Sequence, residues 1–159
     1  MATSTVPTRS SSKGAGATAA TAGLRTLALL LGVFFLFLGL GKIGWLLDSS
    51  ILAQRLQGWL ANAPAQSVRW YIETFALPGV PLFARLVPLA ELATGLALIV
   101  GFWPRLVAGL ACAMVLNFHF AMGSYFTMDV LTDGAALPVL GGLLALAIGG
   151  ARLPWSVRP

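Results

Sequence analysis

The sequence predicts an all-α integral membrane protein, a four-helix bundle with two short amphipathic helices between its first and second spans. Three observations predict it. Of 159 residues, 58% are hydrophobic and only 9% charged, whereas a soluble domain carries about a quarter charged residues. At a mean hydropathy of +0.87, the apolar excess is more than one small water-soluble core can hold. Four apolar runs also have, at about 17–25 residues, the length that crosses a bilayer as a helix. Between the first two runs lies a stretch whose apolar residues recur with helical spacing.

Residues 1–23 are Ser, Thr, Ala and Gly with Arg9, Lys13 and no acid. Such a composition predicts a disordered cytoplasmic tail, because it has too little apolar surface to order itself. It faintly resembles a basic, Ser-rich transit peptide, but no Arg-rich amphipathic helix is visible, and a bacterial tail is the preferred reading. The membrane domain is read as residues 24–152. Its first span, 24–41 (LRTLALLLGVFFLFLGLG), is longer than a signal-peptide core and no A-x-A site follows it.

The segment 49–77 reads as the two amphipathic helices. Leu52, Leu56, Trp59 and Leu60 share one helical face, and Ser49 or Ser50 is positioned to cap it. Val68, Tyr71, Ile72 and Phe75 share a second face, while Arg69 and Glu73 stand i, i+4 on the wet side. These helices are expected to lie on the membrane surface or fold over the bundle. The second span is read as 82–103, and WPR at 103–105 turns tightly into the third at 106–122. The fourth is 135–151, with Asp133 as its N-cap and Pro138 in its first turn, where proline is tolerated. Residues 153–159 are read as a short C-terminal tail. Trp45, Trp103 and Trp155 fall at span ends and read as interfacial anchors.

Lys and Arg favour the cytoplasmic side. With both termini inside, Arg9, Lys13, Arg25, Arg105, Arg152 and Arg158 lie within, and Lys42, Arg55, Arg69 and Arg85 outside. The acids Asp48, Glu73, Asp129 and Asp133 then all fall in outer loops. Every polar group at membrane depth lies in the outer half, so any site opens outward.

Glu91 is the one charge between residues 86 and 103. An ionised carboxylate in hydrocarbon costs at least a few kcal/mol, so it must face the bundle interior and find a partner. Arg85 lies about 120° round the same helix, which makes Lys42, at the outer end of the first span, the better partner. Small residues at Ala93, Ala97 and Gly101, and at Gly109, Ala113 and Ala121 with Asn117, mark the expected helix contacts. The sequence leaves Glu91 open between a structural ion pair and a proton-handling or ligand-binding acid. His119 is either interfacial or part of a site. Asn117 points roughly 160° away from it on an ideal helix and reads as inter-helix glue or a ligand.

Composition also excludes functions. The ten Lys and Arg residues are scattered, without a dense basic run, which argues against nucleic acid. Cys112 is the only cysteine and His119 the only histidine, so this chain alone forms no intrachain disulfide, pairs no histidines on a haem and holds no His/Cys metal set. Any redox cofactor is organic or held by a partner.

The first span ends in GLGK. Then follow WYIETF, a proline-containing turn, and ELATGLALIVG, before a short turn and an apolar helix containing Asn117. This arrangement resembles the DoxX family, in its DoxD-like branch, whose type is the small subunit of thiosulfate:quinone oxidoreductase. The resemblance implies a four-helix inner-membrane protein linked to sulfur or thiol oxidation, with quinone as electron acceptor and a protein partner subunit. It places Glu91 at the family's acid and Lys42 at its lysine. Two functions are therefore carried forward. One is a quinone-linked redox subunit in which Glu91 relays protons, with Lys42, Arg85, Asn117 and His119 as ligand-binding candidates. The other is a non-catalytic membrane anchor or assembly subunit. A small-molecule carrier is the weakest reading, because no inverted repeat is visible.

Overall fold

A computed structural model describes residues 11–151 and 153–157, with side chains from residue 16 onward. The described residues are all helix, turn and loop, with no strand element among them. The first helix, α1, runs Ser11–Leu40. Residues 11–23, expected to be part of a disordered tail, are thus its first turns, while residues 1–10 of that tail lie outside the described residues. The Ala-rich run GATAATAG extends a helix already nucleated by the apolar span, and each added residue gains a bond without a new nucleation cost.

After α1 the chain forms α2 (Gly44–Leu47), α3 (Ser50–Ala61) and α4 (Gln66–Tyr71), which continues into a π turn at Ile72–Ala76. Then come α5 (Val80–Val100), α6 (Pro104–Ala121), α7 (Ser124–Thr127), a 3-10 turn (Asp129–Leu131) and α8 (Leu137–Gly149). Among the described residues, three stretches are long and apolar enough to cross a membrane: Gly16–Leu47, Val80–Val100 and Pro104–Ala121. The predicted fourth span is α8, whose 13 residues rise only ~20 Å against ~30 Å of hydrocarbon. Pro138 lies in its first turn as expected, but Asp133 does not cap it. The Asp133 carboxylate instead accepts the Ala135 N–H at 2.8 Å, one step earlier in the approaching turn.

α1 packs antiparallel along α5, α6 packs on α8, and contacts between α1 and α8 and between α5 and α6 close the ring. Ala28, Phe35, Leu98, Ala108, Leu143 and Leu146 lie at the centre of its core, and Leu153 returns under the bundle to join them. The closest approach is made by glycines the small-residue reading missed. A Cβ on Gly95 would sit 2.7 Å from the Leu36 nitrogen and 2.8 Å from the Gly32 carbonyl oxygen, and one on Gly39 would sit 3.0 Å from the Leu92 nitrogen. The faces expected to pack tightly behave differently. Ala93 and Ala97 line an open groove between α5 and α6, and Gly109 has open space beside it. Gly101 closes α5 in the left-handed conformation, φ 73°.

The amphipathic helices fold over one end of this bundle. Leu52, Leu56, Val68, Ile72 and Ala76 join Trp45, Val80 and Ala84 in a second core. Phe75, expected on the buried face, is exposed: the wider π turn shifts the register, so that Ala76 takes its place below Ile72. Trp45 is likewise buried in this second core rather than anchored at an interface, whereas Trp103 and Trp155 are exposed. Neither serine caps α3 by its side chain; the Asp48 carboxylate accepts the Ser50 N–H at 2.8 Å. At the opposite end two arginines cover helix C-termini. Arg25 donates to the Leu98 and Ile99 carbonyls at 3.0 and 2.6 Å, and Arg105 to the Ala147 carbonyl at 3.0 Å, where cations are favoured by the helix dipole.

Two outcomes are expected. Gly95→Ala forces α1 and α5 apart and costs about 1–3 kcal/mol, while Gly109→Ala is neutral or gains up to about 1 kcal/mol of helix propensity. Thermal unfolding of both variants in one detergent checks the contrast. The Ser50 hydroxyl, and then its N–H, hold the Asp48 carboxyl below its ordinary value. That contact stabilises the fold above the unfolded value and is lost as pH falls through the folded one. Protection of the Ser50 amide from hydrogen exchange therefore falls on acidification, and an unchanged protection factor would refute this contribution.

Candidate functional site

Glu91 stands near the middle of α5, roughly 16 Å from its start. One turn before it, Pro88 removes an N–H from the helix ladder. On α1 the helix ends at Leu40 and the chain turns, with the Lys42 N–H donating to the Gly39 carbonyl at 3.0 Å. Because Gly39 lets α1 lie close on Leu92, the lysine stem needs only to bend inward. Its ammonium forms an ion pair with Glu91 Oε1. The pair is enclosed, Lys42 being 16% and Glu91 2% exposed. Aromatic rings flank the ammonium: its nitrogen lies 5.2 Å from the centre of Phe118 and 5.7 Å from that of Trp45. Arg55 covers Trp45 as well, at 5.5 Å. These cation–π contacts supply favourable electrostatics that apolar walls alone lack.

His119 projects from the last turn of α6 and is 3% exposed. Its ring meets Tyr125 at 6.3 Å between centres. Two buried atoms of this group have no hydrogen-bond partner, Glu91 Oε2 and His119 Nδ1. Both residues line one cavity of about 280 Å³, together with Lys42, Phe34, Phe35 and Met114, and with exposed Arg55 and Asp133 at its rim. Buried polar atoms are otherwise almost always paired, since leaving one unmade costs about 1–3 kcal/mol. A carboxylate oxygen accepts, and an imidazole nitrogen donates or accepts according to which nitrogen carries the proton. The cavity thus offers one acceptor and one adaptable group to a molecule placed between apolar walls.

Of the five residues singled out from sequence, Lys42, Glu91 and His119 come together here. Asn117 does not share their cavity, in line with its opposite direction on α6. It accepts the Tyr71 hydroxyl at 2.7 Å, which ties the cap to α6 beside a smaller cavity of about 80 Å³. Arg85 is exposed and donates to the Pro81 carbonyl one turn back. It reaches neither cavity, because its place on α5 faces away from Glu91. Trp45, Arg55 and Phe118 were missed. Trp45 follows Lys42 at i+3, a spacing that brings both to one side of a helical turn and would have marked the contact.

No curated protein and no solved structure matches the chain. A family model does: the DoxX model covers residues 23–124, from the start of the apolar part of α1 to the first residue of α7. That region contains Lys42, Glu91, His119 and the whole cap. With three helices among its described residues long and apolar enough to cross a membrane, the chain is a membrane protein of the DoxX family.

Proposed function

We propose that this DoxX-family protein is the integral membrane subunit of a quinone-linked redox system, of the DoxD-like branch, in which sulfur or thiol oxidation supplies the electrons. One observation carries the reading: Glu91 and His119, each with a buried polar atom that has no hydrogen-bond partner, line one cavity whose other walls are mostly apolar. A quinone head group is a flat apolar ring with oxygens on opposite edges: an imidazole N–H donates to a quinone carbonyl, and a carboxylate accepts the O–H of the reduced quinol. The volume of about 280 Å³ lies just below the ~300–1,000 Å³ usual for small-molecule sites, a size for a head group rather than a whole lipid. Reduction of a quinone takes two electrons and two protons. Here the electrons come from a partner subunit or a bound reductant, and the protons pass by Glu91, held in place by Lys42, with His119 at the second oxygen.

The proposed setting is a bacterial inner membrane, as a multi-pass four-helix bundle with both termini cytoplasmic. Arg25 and Arg105, at the end opposite the cavity, support this orientation through the positive-inside bias. The site then faces outward, toward a periplasmic reductant or partner.

A second reading, a non-catalytic anchor or assembly subunit, is favoured by the Lys42–Glu91 pair itself, since it fastens the two most extensively packed helices. Variants separate the two. A buried pair replaced by apolar residues of similar volume is often neutral for stability, whereas removing one partner costs about 3–5 kcal/mol. The Lys42→Met/Glu91→Leu double variant is therefore expected to fold and to lose quinone binding and reductant-dependent quinone reduction. Normal turnover by this variant, with only yield or assembly altered, selects the anchor. His119→Phe is expected to keep thermal stability within about 1 kcal/mol, because Nδ1 makes no bond in the fold, while quinone affinity drops about tenfold. Equal affinity in titrations of both proteins removes His119 from the site.

A further inference from the structure

We infer that the open groove between α5 and α6 holds the hydrocarbon tail of the same ligand whose head occupies the Glu91 cavity, so that the substrate is a lipid quinone entering sideways from the bilayer. This rests on the quinone reading above. The observation behind it is that three cavities adjoin and share wall residues. Trp59, Met114 and Phe118 border both the polar cavity and the small cavity beneath the cap. Phe83, Val87, Met114 and Asn117 border both that small cavity and the groove. Met114 alone borders all three.

The groove has a volume of about 700 Å³ and a floor of Ala90, Ala93 and Ala97. Both helices that form it are long and apolar enough to cross the membrane, so it opens at hydrocarbon depth. A water-soluble ligand gains nothing from such an extension. A molecule with a polar ring at Glu91 and a flexible chain fills the whole path. Met114, unbranched and adaptable, is the residue able to move aside between the compartments. The small floor residues leave a track that one bulky side chain would close.

The test uses the full chain purified in detergent and two probes, a benzoquinone carrying a decyl chain and the same ring without it. Affinities are compared between wild type and Ala93→Phe, with Ala97→Leu as second variant. Each probe partitions into micelles equally for all proteins, so that effect cancels in the comparison. Blocking the groove is expected to weaken the tailed probe about tenfold, the scale of a few lost packing contacts, and to leave the bare ring unchanged. If both variants bind the tailed probe as wild type does, the groove proposal falls and the head site stands. If wild type binds neither probe, the quinone reading fails and the groove proposal with it. A dimer in wild type that Ala93→Phe dissociates, read by size-exclusion chromatography with light scattering, assigns the groove to a second copy and overturns the tail. Circular dichroism confirms that each variant is folded, and if Ala93→Phe is not, Ala97→Leu decides.

Discussion

The arrangement of this protein depends on placing a carboxylate where hydrocarbon would not accept it. Glu91 lies midway along a membrane-length helix and is tolerated because Lys42 meets it from α1. The lysine arrives there because α1 ends at that depth and because Gly32, Gly39 and Gly95 bring the two backbones into contact. The residues of two short stretches therefore divide into physical roles. In GLGK, Gly39 sets the helix separation and Lys42 supplies the counter-charge; in ELATG, Glu91 takes the charge and Gly95 admits the partner backbone.

The cap follows from the same constraint. With α1 stopping beside Glu91, the first half of α5 extends past it and needs other partners. The amphipathic helices and the π turn provide them, burying Val80 and Ala84 in a second core. The polar cavity lies at the seam between that core and the one inside the bundle, bordered by residues of α1, α3, α5 and α6. A seam between separately packed layers is where ligand sites commonly form, since neither layer has to give up its own core to make room.

Much of this was legible in the sequence. Apolar run length revealed α1, α5 and α6, and period 3.6 revealed α3 and α4. The cost of a lone anion pointed from Glu91 to Lys42 without any contact being visible. What escaped were features decided by packing. Ala93 and Ala97 have the same small-residue spacing as a tight helix contact, yet the close approach is at Gly32, Gly39 and Gly95, and side-chain size alone does not say which small face meets a neighbour. The π turn moved Phe75 out and Ala76 in, which an ideal helical wheel does not anticipate. Arg85 was carried forward as a ligand candidate although its place about 120° round α5 from Glu91 already pointed elsewhere, and it is exposed, donating to the Pro81 carbonyl. Residues 11–23 were helical because they adjoin a helix, whereas their composition, taken alone, has no reason to order.

The shortness of α8 has an outcome for the surrounding lipid. At ~20 Å it falls about a third short of the hydrocarbon thickness, and a bilayer meets such hydrophobic mismatch by thinning locally. The loop before α8 carries the exposed carboxylates Asp129 and Asp133, and a bilayer thinned there would bring headgroups and water toward them. Asp133 is on the rim of the Glu91 cavity. Thinning around α8 would thus draw the aqueous phase nearer to the carboxylate buried on α5.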